Sequence, residues 1–234
     1  MLKATLLAAS ASLILASGAA AQAYRPDIVE LTGAADSLAF PPDDNMDLSG
    51  GGTIEFWAQP DWTDDPGYDP VVVSNAGPQG ASYAIGVTGA RDGLFVMAGD
   101  KLEIAPFDFT DNKLHYVAVS DYGDDTLVVI DNKPVARLGV TFADLPSDGF
   151  WIGTLDGSGA PFKGAVAGLR VWDEPLDPDV LGIYAMQPLV SPAGVAHPAI
   201  ASLVGMSNFE ARSFALAQPN PPPLAEGDAG DPAQ

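Results

Sequence analysis

The chain has no cysteine, two histidines and only 10 basic residues among 234. Without cysteine there is no disulfide framework, no thiolate nucleophile, no Cys-based zinc or iron–sulfur site and no lipidated N-terminal Cys. The 10 basic side chains face 31 acidic ones, for a formal net charge of −21. Affinity for a phosphate backbone comes from Lys and Arg, so this balance argues against nucleic acid as a partner. It argues equally against adsorption to anionic lipid. Glutamate is scarce as well, since 6 of the acids are Glu and 25 are Asp. Glu favours helices, whereas Asp favours turns and loops. With 25 glycines and 21 prolines, the composition points to an all-β chain with many turns.

Long apolar runs are confined to the N-terminus. Residues 1–23 read as a signal peptide: Lys3 supplies the charge, Ala4 to Ala16 is an apolar run, and Ala21-Gln22-Ala23 is an A-x-A cleavage site. The run is too short and too alanine-rich for a membrane anchor, which needs about 20 strongly apolar residues. The expectation is an exported protein, periplasmic or extracellular. Residues 24–187 then form one domain, 188–216 a weakly structured extension, and 217–234 a disordered Pro-rich tail with almost nothing to bury.

Within 24–187 short apolar runs recur, separated by turn signals such as Ser49-Gly50-Gly51-Gly52, Asp121-Tyr122-Gly123-Asp124 and Asp131-Asn132-Lys133. In Thr53–Gln59, Ile54, Phe56 and Ala58 alternate with Glu55, Trp57 and Gln59, the period of a strand. His115 to Ser120 is apolar on both alternations, which suits a strand covered on both faces. Many short strands at even spacing indicate an antiparallel β-sandwich or jelly roll. One helix is expected, with Asp177 as N-cap, Pro178 in its first turn and an end before Pro188. A second short helix is expected within Pro198–Met206.

Several strings resemble those of LamG-like jelly-roll domains of the concanavalin A-like superfamily. Leu31-Thr32-Gly33 with Asp36-Ser37-Leu38 is similar to the opening strand, and Thr53 to Pro60 (TIEFWAQP) resembles the family's T-I-E-x-W-V-x-P strand. Leu114 to Val119 resembles W-H-H-V-A-V, and Leu127 to Val135 resembles L-Y-V-D-G-K-x-V. Phe150-Trp151-Ile152-Gly153 and Phe162 to Trp172 resemble I-G followed by F-x-G-x-I-D-E-V-R-I-W, and Leu176 with the helix after it matches the closing turn. The matches keep the family's order from about residue 27 to 187. The resemblance implies a concanavalin A-like jelly roll with one short C-terminal helix. It leaves function open, because the superfamily hosts lectins, glycan-binding modules, glycanases, lyases and structural domains.

Catalytic signatures are thin. A glycanase needs two carboxylates flanking the scissile bond. The family's glycanases often carry them as E-x-D-x-x-E, and no such string is present: Trp57 follows Glu55 where Asp would stand. Gly80-Ala81-Ser82-Tyr83-Ala84 falls short of G-x-S-x-G, and Ser82 opens a strand rather than an elbow. His115 and His197 are too far apart to read as a triad or zinc site, and His115 reads as a packed structural histidine. Calcium is the better metal candidate, because it takes oxygen ligands. Asp43-x-Asn45-x-Asp47 opens like an EF-hand loop but has Leu48 and Ile54 where Gly and Glu belong, so it reads as a solvated turn. The resemblance implies a calcium ligand at Asp36, while Ala167 and Gly168 stand where the family has its second ligand pair.

For binding, the loop from Asp61 to Asp69 stands out. Trp62 and Tyr68 offer flat faces for sugar stacking, and Asp64, Asp65 and Asp69 can accept hydroxyl protons. The competing reading is that both rings fold back on the sandwich while the carboxylates keep the loop soluble. Trp57, Trp151 and Trp172 lie at strand positions and read as core. The function expected is an exported, non-catalytic module for a glycan or protein ligand. Two alternatives stand beside it: a glycanase or polysaccharide lyase on the same scaffold, and a structural subunit of an envelope or extracellular assembly.

Overall fold

The computed structural model describes residues 28–185, 197–207 and 215–216. The stretch read as a signal peptide, the Pro-rich tail and most of the 188–216 extension lie outside the described residues. Fourteen strands are described: β1 Ile28–Thr32, β2 Leu38–Phe40, β3 Gly52–Pro60, β4 Val71–Gly77, β5 Gly80–Val87, β6 Gly93–Ala98, β7 Lys101–Pro106, β8 His115–Asp121, β9 Thr126–Ile130, β10 Lys133–Leu138, β11 Gly149–Ile152, β12 Lys163–Trp172, β13 Leu203–Ser207 and β14 Ala215–Leu216. The helix α1 is Pro178–Tyr184. All the strand ladders are antiparallel.

The strands form two sheets. The larger runs β10-β9-β8-β3-β12-β13-β14, with β1 also paired to β12, and the smaller runs β2-β11-β4-β5-β6-β7. The strand β12 is shared lengthwise on one side. Its first half pairs with β1 and its second half with β13, and a register shift between Ala167 and Arg170 separates the two against β3. The alternation in β3 does what it predicts: Ile54, Phe56 and Ala58 enter the inter-sheet core with Val117, Val119, Ile85, Leu94 and Phe109. Burying such side chains contributes roughly 1.5–3 kcal/mol each. Chain closure depends on Gly164. Its φ is +142, and a Cβ there would lie 2.1 Å from the Gln59 carbonyl oxygen, which leaves no room for a side chain.

Two differences from expectation concern the outer faces. Trp57 and Trp172 belong to a second apolar cluster outside the large sheet, with Tyr116, Leu127, Leu176, Leu181 and Leu203, and Trp151 packs on the outside of the small sheet. Trp172 is fully buried there, as expected of a core residue, whereas Trp57 and Trp151 are only partly buried, and none of the three fills the space between the sheets. The second concerns Pro198–Met206: only Ile200–Ser202 makes a 3-10 turn, and Leu203 onward is strand. Edge pairing to β12 supplies backbone partners that an isolated short helix lacks. The helix α1 begins as read, with Asp177 as N-cap residue, although the Asp177 side chain caps no N–H of the helix and instead accepts from the Tyr122 hydroxyl at 3.3 Å.

The two histidines are shifted in opposite directions. The ring nitrogens of His115 lie 2.7 Å from Asp131 and 2.8 Å from Asp111. A neutral imidazole has one N–H, so two carboxylates are satisfied together only by the cation. Burial pulls the His115 pKa down, but the two aspartates outweigh it and the net shift is upward. His197 lies over Trp172 with centroids 4.7 Å apart, and its Nδ1 accepts from the Ala199 N–H. Burial, reinforced by the Arg170 charge, pushes its pKa down to about 4. A raised histidine contributes stability below its unfolded value that is lost as pH climbs through the folded value, and a depressed one contributes stability that is lost as pH falls from the unfolded value toward the folded one. Thermal stability should therefore peak near pH 6.5, the unperturbed histidine value. His115→Asn should flatten the alkaline limb while leaving the fall below pH 6 in place. An unchanged alkaline limb in a melting series would refute the assignment.

Candidate functional site

A cleft of about 210 Å³ opens at one end of the sandwich, lined by Pro42, Asp43, Asp44, Asp47, Asn75, Asp144, Leu145, Pro146 and Ser147. One wall is the connection from β2 to β3. Asp43 accepts from the Asn45 N–H at 2.9 Å and so starts the 3-10 turn Asp44–Met46, and Met46 is buried as the anchor. The other wall is the segment before β11. It is fastened to the small sheet by the Ala143 N–H on Ser82 O, the Asp148 N–H on Ala76 O and the Ser82 hydroxyl on Leu145 O. Its close approach needs Gly77, where an added Cβ would lie 2.3 Å from Pro146 O.

Asn75 ties the two walls together. Its amide donates to Met46 O at 3.0 Å, and its oxygen accepts from the Ser147 hydroxyl. The Tyr83 hydroxyl reaches the same Met46 carbonyl at 3.2 Å. Burial, with the Asp47 charge behind it, pushes the Tyr83 pKa far up, so this phenol stays a donor. The cleft thus has a fixed polar floor, an acidic rim and apolar patches from Pro42, Leu145 and Pro146. Its lining includes no Lys or Arg. Carboxylates accept hydrogen bonds from hydroxyl groups and repel anions, so the arrangement suits an uncharged polyhydroxyl ligand.

The residues singled out from the sequence lie at the opposite end, beyond the far ends of β3 and β4. Trp62 is half-buried: its indole N–H donates to Gly89 O at 2.8 Å and its ring meets Phe162 edge-on at 5.7 Å. Asp65 accepts from the Gly67 N–H at 2.8 Å and Asp69 from the Gly89 N–H at 2.9 Å. Asp64 is exposed. Tyr68 is 41 % exposed, with its hydroxyl 3.2 Å from Pro161 O. The loop therefore places one aromatic face, that of Tyr68, toward solvent. Asp36 accepts from the Thr32 N–H at 3.1 Å and from its hydroxyl. Among the described residues no group of three or more His, Asp or Glu side chains is placed to hold a metal ion.

The cleft was not read from the sequence. Asp43-x-Asn45-x-Asp47 was visible only as a turn, and Asn75 and Asp144 carry no local signal. The buried Glu55 was weighed as a catalytic acid without its partners. It lies beside Arg170 at 3.2 Å and accepts from the Tyr116 hydroxyl.

Two facing antiparallel sheets and, among the described residues, one short α-helix after the last long strand define a jelly-roll sandwich. The chain belongs to the concanavalin A-like lectin/glucanases superfamily, whose laminin G-type family model matches residues 32–181. No curated protein sequence matches it. Among solved structures it is similar to a putative carbohydrate binding protein from Bacteroides ovatus, at 20 % identity and a TM-score of 0.55, covering 76 % of this chain and 52 % of that one. It thus spans about half of that protein. It is also similar to the CBM40 of the Ruminococcus gnavus IT-sialidase, at 14 % identity and a TM-score of 0.52, over 67 % of this chain and 95 % of that one. A Trypanosoma rangeli sialidase shares the fold at 16 % identity and a TM-score of 0.55, over 69 % of this chain and 27 % of that one. At these identities the likeness is one of fold.

Proposed function

We propose that the chain is an exported, non-catalytic module that binds a neutral glycan in the cleft between Asp43–Asp47 and Asp144–Ser147. The observation that carries this reading is the cleft itself: about 210 Å³, a floor fixed by Asn75, carboxylate acceptors at the rim and apolar faces beside them. That volume suits a single sugar ring, and sugar-binding sites combine apolar faces with a few placed polar groups. Support comes from carbohydrate-binding modules of the same fold. The N-terminal stretch read as a signal makes export part of the reading, since glycans of this kind lie outside the cytoplasm.

A catalytic role finds little to work with. An acid for glycoside hydrolysis is a carboxyl with a raised pKa that reaches the substrate. Asp121 is raised by burial, but it is fully buried and accepts the Gly123 and Phe142 N–H groups. Asp173 is raised by burial and by Glu174, and it lies in the turn after β12, away from the cleft.

A glycan array of neutral and sialylated sugars should return neutral hits, with and without a calcium chelator. Calorimetry with the best hit should then show Asp144→Ala and Asp44→Ala each weakening binding by roughly tenfold or more, the worth of one hydrogen bond to a charged acceptor. Melting temperatures should not change. Tyr68→Ala should bind as the parent does. If Tyr68→Ala abolished binding while both aspartate variants kept it, the ligand would sit on the loop from Trp62 to Asp69 instead.

A further inference from the structure

The small sheet ends at β7, and nothing described pairs with the outer side of that strand. The other sheet borders are blunted. The strand β10 carries Pro134 and a register shift beside it, β2 has three residues, β14 has two, and β1 sets Glu30 in the middle of its outward row. Short length, proline, irregular register and a central charge are the devices that stop one sheet edge from pairing with another. The strand β7 is six residues long and pairs with β6 without a shift, its proline stands at the last position, and its central charge, Glu103, has the opposite charge of Lys101 two residues away on the same face.

Its outward row is apolar. Leu102 is 45 % exposed and Ile104 47 %. Both extend an apolar surface on the outer face of the sheet, Leu102 beside Met97 and Ile104 beside Phe95. Lys101 and Glu103 alternate with them on the opposite face and are also exposed. The Glu103 carboxylate accepts from the Gly139 N–H at 3.0 Å, which holds it at this border. We propose that β7 is a self-association edge, on which a second copy of this chain adds its own β7 antiparallel across a two-fold axis.

Charge selects the register. With Leu102 opposite Leu102 of the second copy, Lys101 of each copy faces Glu103 of the other, and the ion pair occurs twice by symmetry. Shifting by two residues, to put Leu102 opposite Ile104, would set Glu103 against Glu103, which like charges oppose. In the favoured register each Ile104 lies diagonal to the other copy's Leu102, so the two apolar rows merge. The two six-stranded sheets then become one continuous sheet. Pro106, which has no N–H to donate, closes the paired segment at each end.

Sedimentation of the full mature chain in 0.15 M salt, over a concentration series, should show a reversible monomer–dimer equilibrium. Leu102→Asp should give monomer throughout. Lys101→Glu and Glu103→Lys should each weaken the dimer by about tenfold, and the double exchange Lys101→Glu/Glu103→Lys should restore it, because both pairs re-form with the signs reversed. Circular dichroism and melting temperature of each variant separate loss of association from loss of fold. A chain that stays monomeric at every concentration, a dimer that survives Leu102→Asp, or a double exchange no better than the single reversals would overturn the proposal.

Discussion

Arg170→Ala is expected to lower the unfolding free energy by about 3–5 kcal/mol, the cost of stranding one member of a buried ion pair. Arg170 faces Glu55 across the β12–β3 ladder, and their side chains are 5 % and 3 % exposed. The Tyr116 hydroxyl donates to the same carboxylate, and Trp57 lies against the Tyr116 ring with centroids 5.4 Å apart. Removing the guanidinium leaves the Glu55 charge among apolar groups with one hydroxyl for company. The pair as a whole is worth much less than either half, because both charges were desolvated to make it. Glu55→Gln/Arg170→Met should therefore recover most of the loss, since the new amide would still accept from Tyr116 and the thioether chain fills the space of the arginine stem. Urea unfolding of the parent, the single and the double variant measures this. A single-variant loss below about 1 kcal/mol would mean that water reaches the pair, and so that the 197–207 segment does not seat on the sheet as described.

Phe162→Ala should cost a similar amount, about 3–5 kcal/mol, for a different reason. Phe162 is fully buried in the inter-sheet core and meets the Trp62 ring edge-on. Its truncation leaves a cavity under the loop from Asp61 to Asp69 and removes the surface on which Trp62 rests. The melting temperature should fall, and limited proteolysis should begin within that loop. Tyr68→Ala in the same loop should change stability by no more than about 0.5 kcal/mol, because an exposed ring loses little when removed. Equal stability losses from the two variants would contradict the packing of the loop. A Phe162→Ala protein with unchanged stability would contradict the core.

The strand content was legible because it is written locally. Alternation in β3, the two-sided apolar run of β8 and the Asp- and Gly-rich turns between strands are each contained in fewer than ten residues. Asp177-Pro178 announced the helix by the same kind of local chemistry. The Pro198–Met206 segment misled because its conformation is set by its neighbour: Leu203 to Ser207 extend when β12 offers an edge. Trp57 and Trp151, which are only partly buried, misled in a related way. A strand with apolar residues on both faces says that both faces are covered, without saying which cover is the other sheet and which is the C-terminal segment.

Sequence alone determined the class of this protein: an acidic, cysteine-free, turn-rich chain whose strand strings follow the concanavalin A-like order. It also removed thiol chemistry and disulfides from consideration, since those depend on a residue type the chain lacks. Tertiary structure alone decided the sites. Glu55 meets Arg170 across 115 positions, Asn75 meets Ser147 across 72, and Asp44 and Asp144 come to one cleft from different connections. Edge status is likewise a property of the assembled sheet, so Leu102 and Ile104 look like any other strand residues until β7 is found at the border. The physical reason is the range of the interactions. Backbone propensity and turn chemistry act over a few residues and are read in order along the chain, whereas burial, ion pairing and cleft shape depend on which distant segments the sandwich brings side by side.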